Sequence, residues 1–437
     1  MGEQKPRSRK NILRYVLWGL AIAVGLLLIA VVVLTAVYLI WIKVPPPLAE
    51  PKTAEERVAY NLAVFDAAWS DIDRYFYDPK FNGRDWSAVR AKVRPQAAAA
   101  KTTFDLYFGV LQPMVRILGS SHMEVMPPVR LQQSVEVGRR DDHCLALPAV
   151  EDVAWLGFKL AFPPGQGMIV AEVRKGSAAD LHDIEPGWRI KSFTVTPRCH
   201  DKPLTKLELL PPDGKVRAYE YSADPYVEPP MANATLASGV RVLRFNAFDD
   251  RDARWLVEEL KRAPAAGVII DLRHNTGGDV AVVERIASAL LGPGRSLGRY
   301  AGRQSRLDRR TPEPGAVYHG PVAVLIGPLS ASGAEVTAQV LHFHYRAVLV
   351  GAGTAGDMLS SQLFALPDGG QLQVATFDYR GPDGRRLEGV GVRPDLEAHQ
   401  TLAAIRAGRD LVVDMADQAL TRDNRNGGAA NEKGPAN

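Results

Sequence analysis

The segment Val268-Ile-Ile-Asp-Leu-Arg-His-Asn-Thr-Gly-Gly-Asp279 constrains the fold most, because an apolar strand runs there into a polar, glycine-rich turn. Paired glycines let a backbone approach a ligand closely and aim N–H groups at an oxyanion, so chemistry is expected at this strand end. About fifty residues later the pattern recurs, with Val322-Ala-Val-Leu-Ile326, then Gly327-Pro-Leu-Ser-Ala-Ser-Gly-Ala-Glu335, then a helical run to His344. A serine on a strand-to-helix turn is where an exposed nucleophile is built. Strands at 240–245, 268–272, 322–326 and 347–350 alternate with helices at 252–261, 279–291 and 334–344. That alternation predicts an α/β sheet with its active groups at the strand ends.

At 437 residues the chain exceeds one typical core, so two or three domains are expected. Residues 1–14 form a basic stub whose local charge of +4 equals the net charge of the whole chain. The remainder sums to zero and gives no global reason to expect nucleic-acid binding. From Tyr15 to Ile42 no residue is charged. A helix of that length spans about 42 Å against a bilayer core of about 30 Å, which predicts a transmembrane helix over 15–43. A cleaved signal peptide would have a shorter apolar run ending at small residues, whereas Tyr38-Leu-Ile-Trp-Ile-Lys43 is bulky. Positive residues ahead of the helix put the N-terminus in the cytoplasm and the rest of the chain outside it, in the periplasm or at the cell exterior. Residues 44–54, with Pro45-Pro-Pro47, read as a semi-rigid spacer.

Residues 55–128 read as helical, with Val58, Leu62, Phe65, Trp69, Ile72 and Phe76 forming one apolar face. Residues 151–225 read as β-rich, 230–420 as the α/β core with a final helix over 410–420, and 421–437 as a disordered polar tail. Cys144 and Cys199 flank the β-rich part. Outside the cytoplasm a disulfide closing a long loop is the first reading, with two buried thiols beside it. Their Asp and His neighbours lack the short repeated spacings of a zinc site, so no metal and no cofactor is expected.

The Asp-Leu-Arg-x-Asn-x-Gly-Gly turn, the Ser332-x-x-Glu335 pattern, Gly351-Ala-Gly-Thr-Ala-Gly356 and Glu388-Gly-Val-Gly-Val-Arg-Pro-Asp395 occur here in this order. In that order they resemble the C-terminal-processing and tricorn-type serine peptidases. The resemblance implies a peptidase core of sheet-and-helix units like those of ClpP and the crotonases, preceded by a helical region. Trp155-Leu-Gly-Phe158 and the alternating strand after it resemble a PDZ domain, although Trp155 replaces the first glycine of the carboxylate-binding loop.

The same resemblance assigns Ser332 as nucleophile, which leaves Ser330 the poorer candidate. Serine needs a base within hydrogen-bond reach. The C-terminal-processing branch takes a lysine for this, where this chain has Asp357. The tricorn branch uses a histidine preceded by serine, together with a glutamate, and Ser121-His122 and Glu388 match those positions. The mechanism so implied has His122 as general base, Ser121 and Glu388 orienting it, and an oxyanion between the N–H of Gly333 and that of Gly277 or Gly278. Asp279 is expected to cap the helix it opens. His274 sits in the glycine turn, within reach of a substrate, and His342 and His344 are expected to be structural.

The reading is therefore a membrane-anchored serine peptidase whose partners are protein or peptide substrates, reached through free C-termini. Its rivals are a catalytically silent scaffold that binds peptides through the PDZ-like domain, favoured by the missing lysine, and an acyl-CoA enzyme of the crotonase type. The last leaves Ser332, His122 and Glu388 without a role.

Overall fold

A computed structural model describes residues 47–128, 156–222 and 231–431, except 162, 164, 166, 199, 200, 265, 304 and 345, with a few helical residues between 18 and 31. Residues 1–50 and 51–437 are two compact units. Most of the apolar run over 15–43 lies outside the described residues, as do Cys144, Cys199 and Trp155. Among the described residues no helix is long and apolar enough to cross a membrane.

The second unit opens with helix Ala54–Tyr75, which Thr53 and Glu56 start by reciprocal capping: the Glu56 N–H donates to Thr53 Oγ1 at 3.1 Å and the Thr53 N–H to Glu56 Oε2 at 3.2 Å. Its buried face is rotated from the expected stripe. Tyr60, Asn61, Val64, Phe65, Ala68 and Ile72 point inward, while Val58 is exposed. Buried Asn61 is tolerated because its amide donates to the carbonyls of Ala97 and Ala100, which end helix Trp86–Ala99. A π-helical segment, Asp105–Leu111, and helix Gln112–Arg116 then lead to Ser121-His122 and strand β1, Glu124–Met126.

Strands β2 (Phe158–Ala161), β3 (Ile169–Val173), β4 (Arg189–Arg198), β5 (Asp201–Leu210) and β6 (Arg217–Ser222) form an antiparallel meander in sequence order. It has its own small core around Leu156, Trp188 and Leu209, and its one helical turn among the described residues is Ala178–Leu181.

The central sheet follows: β7 (Met231–Thr235), β8 (Arg241–Phe245) and β9 (Val268–Asp271), then, after β10 (Ser296–Ala301) and β11 (Arg306–Arg310), β12 (Val322–Ile326) and β13 (Val348–Gly351). After β14 (Ser360–Ala365) and β15 (Gln371–Arg380), the short β16 (Leu396–Glu397) completes it in the order β16-β13-β12-β9-β8-β7, parallel except for the β7/β8 pair. Strand residues alternate between two cores. Val268, Ile270, Val324 and Ile326 face helices Asp250–Lys261, Val280–Leu291 and Gly333–Phe343, while Ile269, Ala323, Leu325 and Val350 face helix Leu411–Asn431. Burial on both faces is why β9 and β12 read as unbroken apolar runs.

Two boundaries differ from the sequence reading. The last helix continues to Asn431, eleven residues past the expected end, because extending a helix already docked through Val412, Ala416 and Leu420 costs far less than starting one. Strands β1, β14, β15, β10 and β11 also form a second, antiparallel sheet that the sequence did not announce. Leu359, Leu372, Val374 and Ala375 of that sheet region share one core with the N-terminal helices, so 55–128 packs as part of the 51–437 unit.

Candidate active site

Ser332 lies between β12 and the helix that begins at Gly333, with φ 53° and ψ −116°. A β-carbon at that φ is strained, so the turn must be held from outside. Glu335 holds it. Its carboxylate is fully buried and accepts the N–H groups of Ser332 at 3.0 Å, Gly356 at 2.8 Å and Asp357 at 2.8 Å, and the hydroxyl of Thr354. Burial pushes the Glu335 carboxyl above its usual range, against the pull of these hydrogen bonds. Ser330 is buried and used structurally, donating to the Leu272 carbonyl at 2.7 Å and accepting from the Gly327 N–H at 3.0 Å.

The glycine turn after β9 is braced from three sides. Arg273 pairs with Asp271 at 2.7 Å and with Asp410 at 2.8 Å, tying the strand end to the C-terminal helix. Asn275 donates through its amide to the Phe245 carbonyl, and its side-chain oxygen accepts the Gly277 N–H at 2.9 Å. That bond separates the two glycines: Gly277 has spent its N–H, while those of Gly278 and Gly333 have no hydrogen-bond partner among the described residues. Both positions demand glycine. A β-carbon on Gly277 would stand 2.7 Å from Gly333 N, and one on Gly278 2.5 Å from Phe248 O. Asp279 caps its helix, accepting from the Ala281 N–H at 2.7 Å.

Ser121-His122 reaches the site from the other side, placed by the pairing of β1 with β15. His122 Nε2 lies 3.1 Å from Ser332 Oγ, and its Nδ1 lies 3.0 Å from Ser121 Oγ. Glu388 accepts the Ser121 hydroxyl at 3.1 Å and N–H at 3.2 Å, and the N–H groups of Met358 at 2.8 Å and Leu359 at 3.2 Å. Since Ser121 gives its proton to Glu388, it accepts the Nδ1–H of His122, and Nε2 is left with a lone pair toward Ser332. Burial holds the His122 imidazolium below its ordinary pKa, partly countered by the charges of Asp357 and Glu388. Asp357 is exposed and lines the hollow beside His122 and Ser332.

Of the remaining histidines, His342 Nδ1 meets Asp395 at 3.2 Å, the ring of His344 bonds the Ser296 carbonyl at 2.9 Å, and His274 is exposed outside the cleft. The cleft over Ser332 encloses about 730 Å³ and reaches His122, Gly278 and Gly333. Among the described residues no cluster of His, Cys, Asp or Glu could hold a metal ion. The residue whose weight sequence reasoning missed is Glu335, noted only as the end of the Ser332-x-x-Glu335 pattern. Its place three residues after Ser332 was the available signal.

Residues 239–398 match the sequence profile of Peptidase family S41, and residues 61–115 that of the Tricorn protease C1 domain. Carboxyl-terminal-processing peptidase 3, chloroplastic, of Arabidopsis thaliana is 25% identical over 381 residues, 80% of this chain and 71% of that protein. The carboxyl-terminal-processing protease of Synechocystis sp. is 30% identical over 185 residues, 42% of this chain and 43% of its own. Two solved structures share the fold: the photosystem II D1 C-terminal processing protease (TM-score 0.52, 19% identity, 83% of this chain and 97% of that one) and mature CPAF (TM-score 0.56, 14% identity, 83% and 97%). These similarities define a serine-type peptidase. More particularly, residues 239–398 carry the similarity to peptidase family S41.

Proposed function

We propose that this chain cleaves peptide bonds with Ser332 as nucleophile and His122 as general base. The observation that carries this is the unbroken line Glu388, Ser121, His122, Ser332, each link 3.0–3.1 Å long. His122 Nε2 takes the Ser332 proton as Oγ attacks the carbonyl carbon, and Glu388, through Ser121, stabilises the imidazolium that forms. Oxygen charge in the tetrahedral intermediate falls to the N–H groups of Gly278 and Gly333, the pair without hydrogen-bond partners among the described residues. His122 then returns its proton to the leaving amine, and water repeats the sequence on the acyl-enzyme. Asp357 leaves the base role to His122, which answers the missing lysine and disfavours the silent-scaffold reading.

The apolar run over 15–43 is the membrane tether in this proposal, supported by its length and lack of charge, with the catalytic unit outside the cytoplasm. The β2–β6 meander is the PDZ-like module that presents protein substrates, their free C-termini included. Peptide hydrolysis by the intact chain tests the assignment: Ser332→Ala should be inactive at wild-type fold content, and full activity of that variant overturns it.

A further inference from the structure

His122 stands at φ 57°, a left-handed conformation that strains a residue with a β-carbon, so the loop carrying the base must be held from outside, as the Ser332 turn is. Glu388 holds it at Ser121. A second side chain holds it ahead of Ser121. Asn82 lies on the single turn Phe81–Gly83, between helices Ala54–Tyr75 and Trp86–Ala99, and its amide donates to the Leu118 carbonyl at 2.8 Å and to Ser120 Oγ at 2.8 Å. The amide is itself fixed. Its oxygen accepts the Tyr77 hydroxyl at 3.0 Å, and the Asn82 N–H donates to Asp78 Oδ2 at 2.8 Å. At φ 53° and ψ 37° the Asn82 backbone is also left-handed, which asparagine tolerates better than most residues. Tyr77 is anchored in turn: its N–H donates to the Ala375 carbonyl of β15 at 2.9 Å, and its hydroxyl accepts from Arg386 at 3.3 Å. Arg386 also donates to Asp378 at 2.6 Å and stands two residues before Glu388. A continuous run of bonds therefore joins the loop of the base to the segment that carries its carboxylate.

Resting on the peptidase reading above, we infer that Asn82 is a positioning residue for the reaction: by fixing Leu118 and Ser120 it keeps His122 Nε2 within hydrogen-bond reach of Ser332 Oγ. It touches neither the substrate nor the reacting atoms and acts through His122. Asn82 is exposed, so its bonds compete with water and contribute little to the stability of the fold. The same two bonds bound the catalytic effect: their loss lowers kcat by no more than about 30-fold, the equivalent of two ordinary neutral hydrogen bonds.

The test compares the intact chain with two variants. Asn82→Gly removes the amide and leaves the left-handed backbone unstrained; Asn82→Asp keeps the shape but turns an acceptor toward the Leu118 carbonyl, and serves where Asn82→Gly fails to fold. Each should lower kcat for peptide hydrolysis, and the rate of Ser332 labelling by a fluorophosphonate, by about 10–30-fold, with KM and the denaturant midpoint near wild type. Histidine ring-nitrogen NMR gives a readout that packing alone would not move. The His122 signal, identified by its absence in His122→Ala, should report a fixed Nδ1–H tautomer in the wild type and a mixture of tautomers in both variants. Variants that are labelled at the wild-type rate, or that lose rate only in step with a lowered midpoint while His122 keeps its tautomer, overturn the positioning role and leave the peptidase reading standing. Wild-type chain that is never labelled overturns that reading and this inference with it.

Discussion

Two glutamates serve the site, and they do opposite work. Glu335 is fully buried, and three of its four bonds go to backbone N–H groups: it fixes the strained Ser332 turn to the 354–357 loop. Glu388 is half-buried and reaches through the Ser121 hydroxyl to His122. In the proposed mechanism one carboxylate positions the nucleophile's backbone, and the other orients the base and supports its charge. Structural and catalytic demands are thereby divided between two residues of the same type, and that division can be tested by substitution.

The largest effects should come from the groups both glutamates serve. Ser332→Ala and His122→Ala should each lower kcat by roughly 10⁴–10⁶-fold, and the double variant scarcely further, because nucleophile and base act as a unit. Additive losses in that cycle, measured by peptide hydrolysis, would contradict the pairing. Next, Glu335→Gln should damage fold and activity together. It turns an amide donor toward a buried cluster of N–H groups, at a cost of about 1–3 kcal/mol for each bond lost. A lower denaturant midpoint and a kcat reduced by about 100-fold are expected; an unchanged midpoint would show that Glu335 does not hold the turn. Glu388→Gln should separate the two roles, lowering kcat by about 10–100-fold while the midpoint stays near wild type, since its site is partly open to water.

The contrast between the glutamates was only half legible in the sequence. Glu388 was singled out because Glu388-Gly-Val-Gly-Val-Arg-Pro-Asp395 resembles the motif that carries the glutamate of the tricorn branch. Glu335 was noticed only for its place after Ser332, because its other partners, Thr354, Gly356 and Asp357, lie 19 to 22 residues away. Elsewhere the same physics governs what could be read. Strands β9 and β12 announce themselves because both faces are buried. Strand β11, Arg306-Leu-Asp-Arg-Arg310, is largely exposed and carries no alternation to betray it. The shared core of helix Ala54–Tyr75 with β15 joins residues some 300 positions apart, beyond any local pattern. Choosing between Gly277 and Gly278 required seeing where the Asn275 side chain turns.

The smallest effect concerns Asp357. Its charge raises the His122 pKa against the larger, lowering effect of burial. A lowered pKa means the neutral, basic imidazole survives to more acidic pH, so the rising limb of kcat/KM should lie below the ordinary histidine value of about 6.5. Asp357→Asn should move that limb further toward acid and keep most of the plateau rate. A shift toward alkali, or a loss as severe as that of His122→Ala, would make Asp357 a working base.

The central claim is that His122 activates Ser332, and the most direct measurement is the pH dependence of fluorophosphonate labelling, with the modified residue located by mass spectrometry. The account predicts modification of Ser332, a rate that rises through one ionisation below about pH 6.5 and then stays level, and labelling slowed by orders of magnitude in His122→Ala. Labelling of His122→Ala at the wild-type rate, or a rate that begins to rise only in the alkaline range of a lysine, would contradict it.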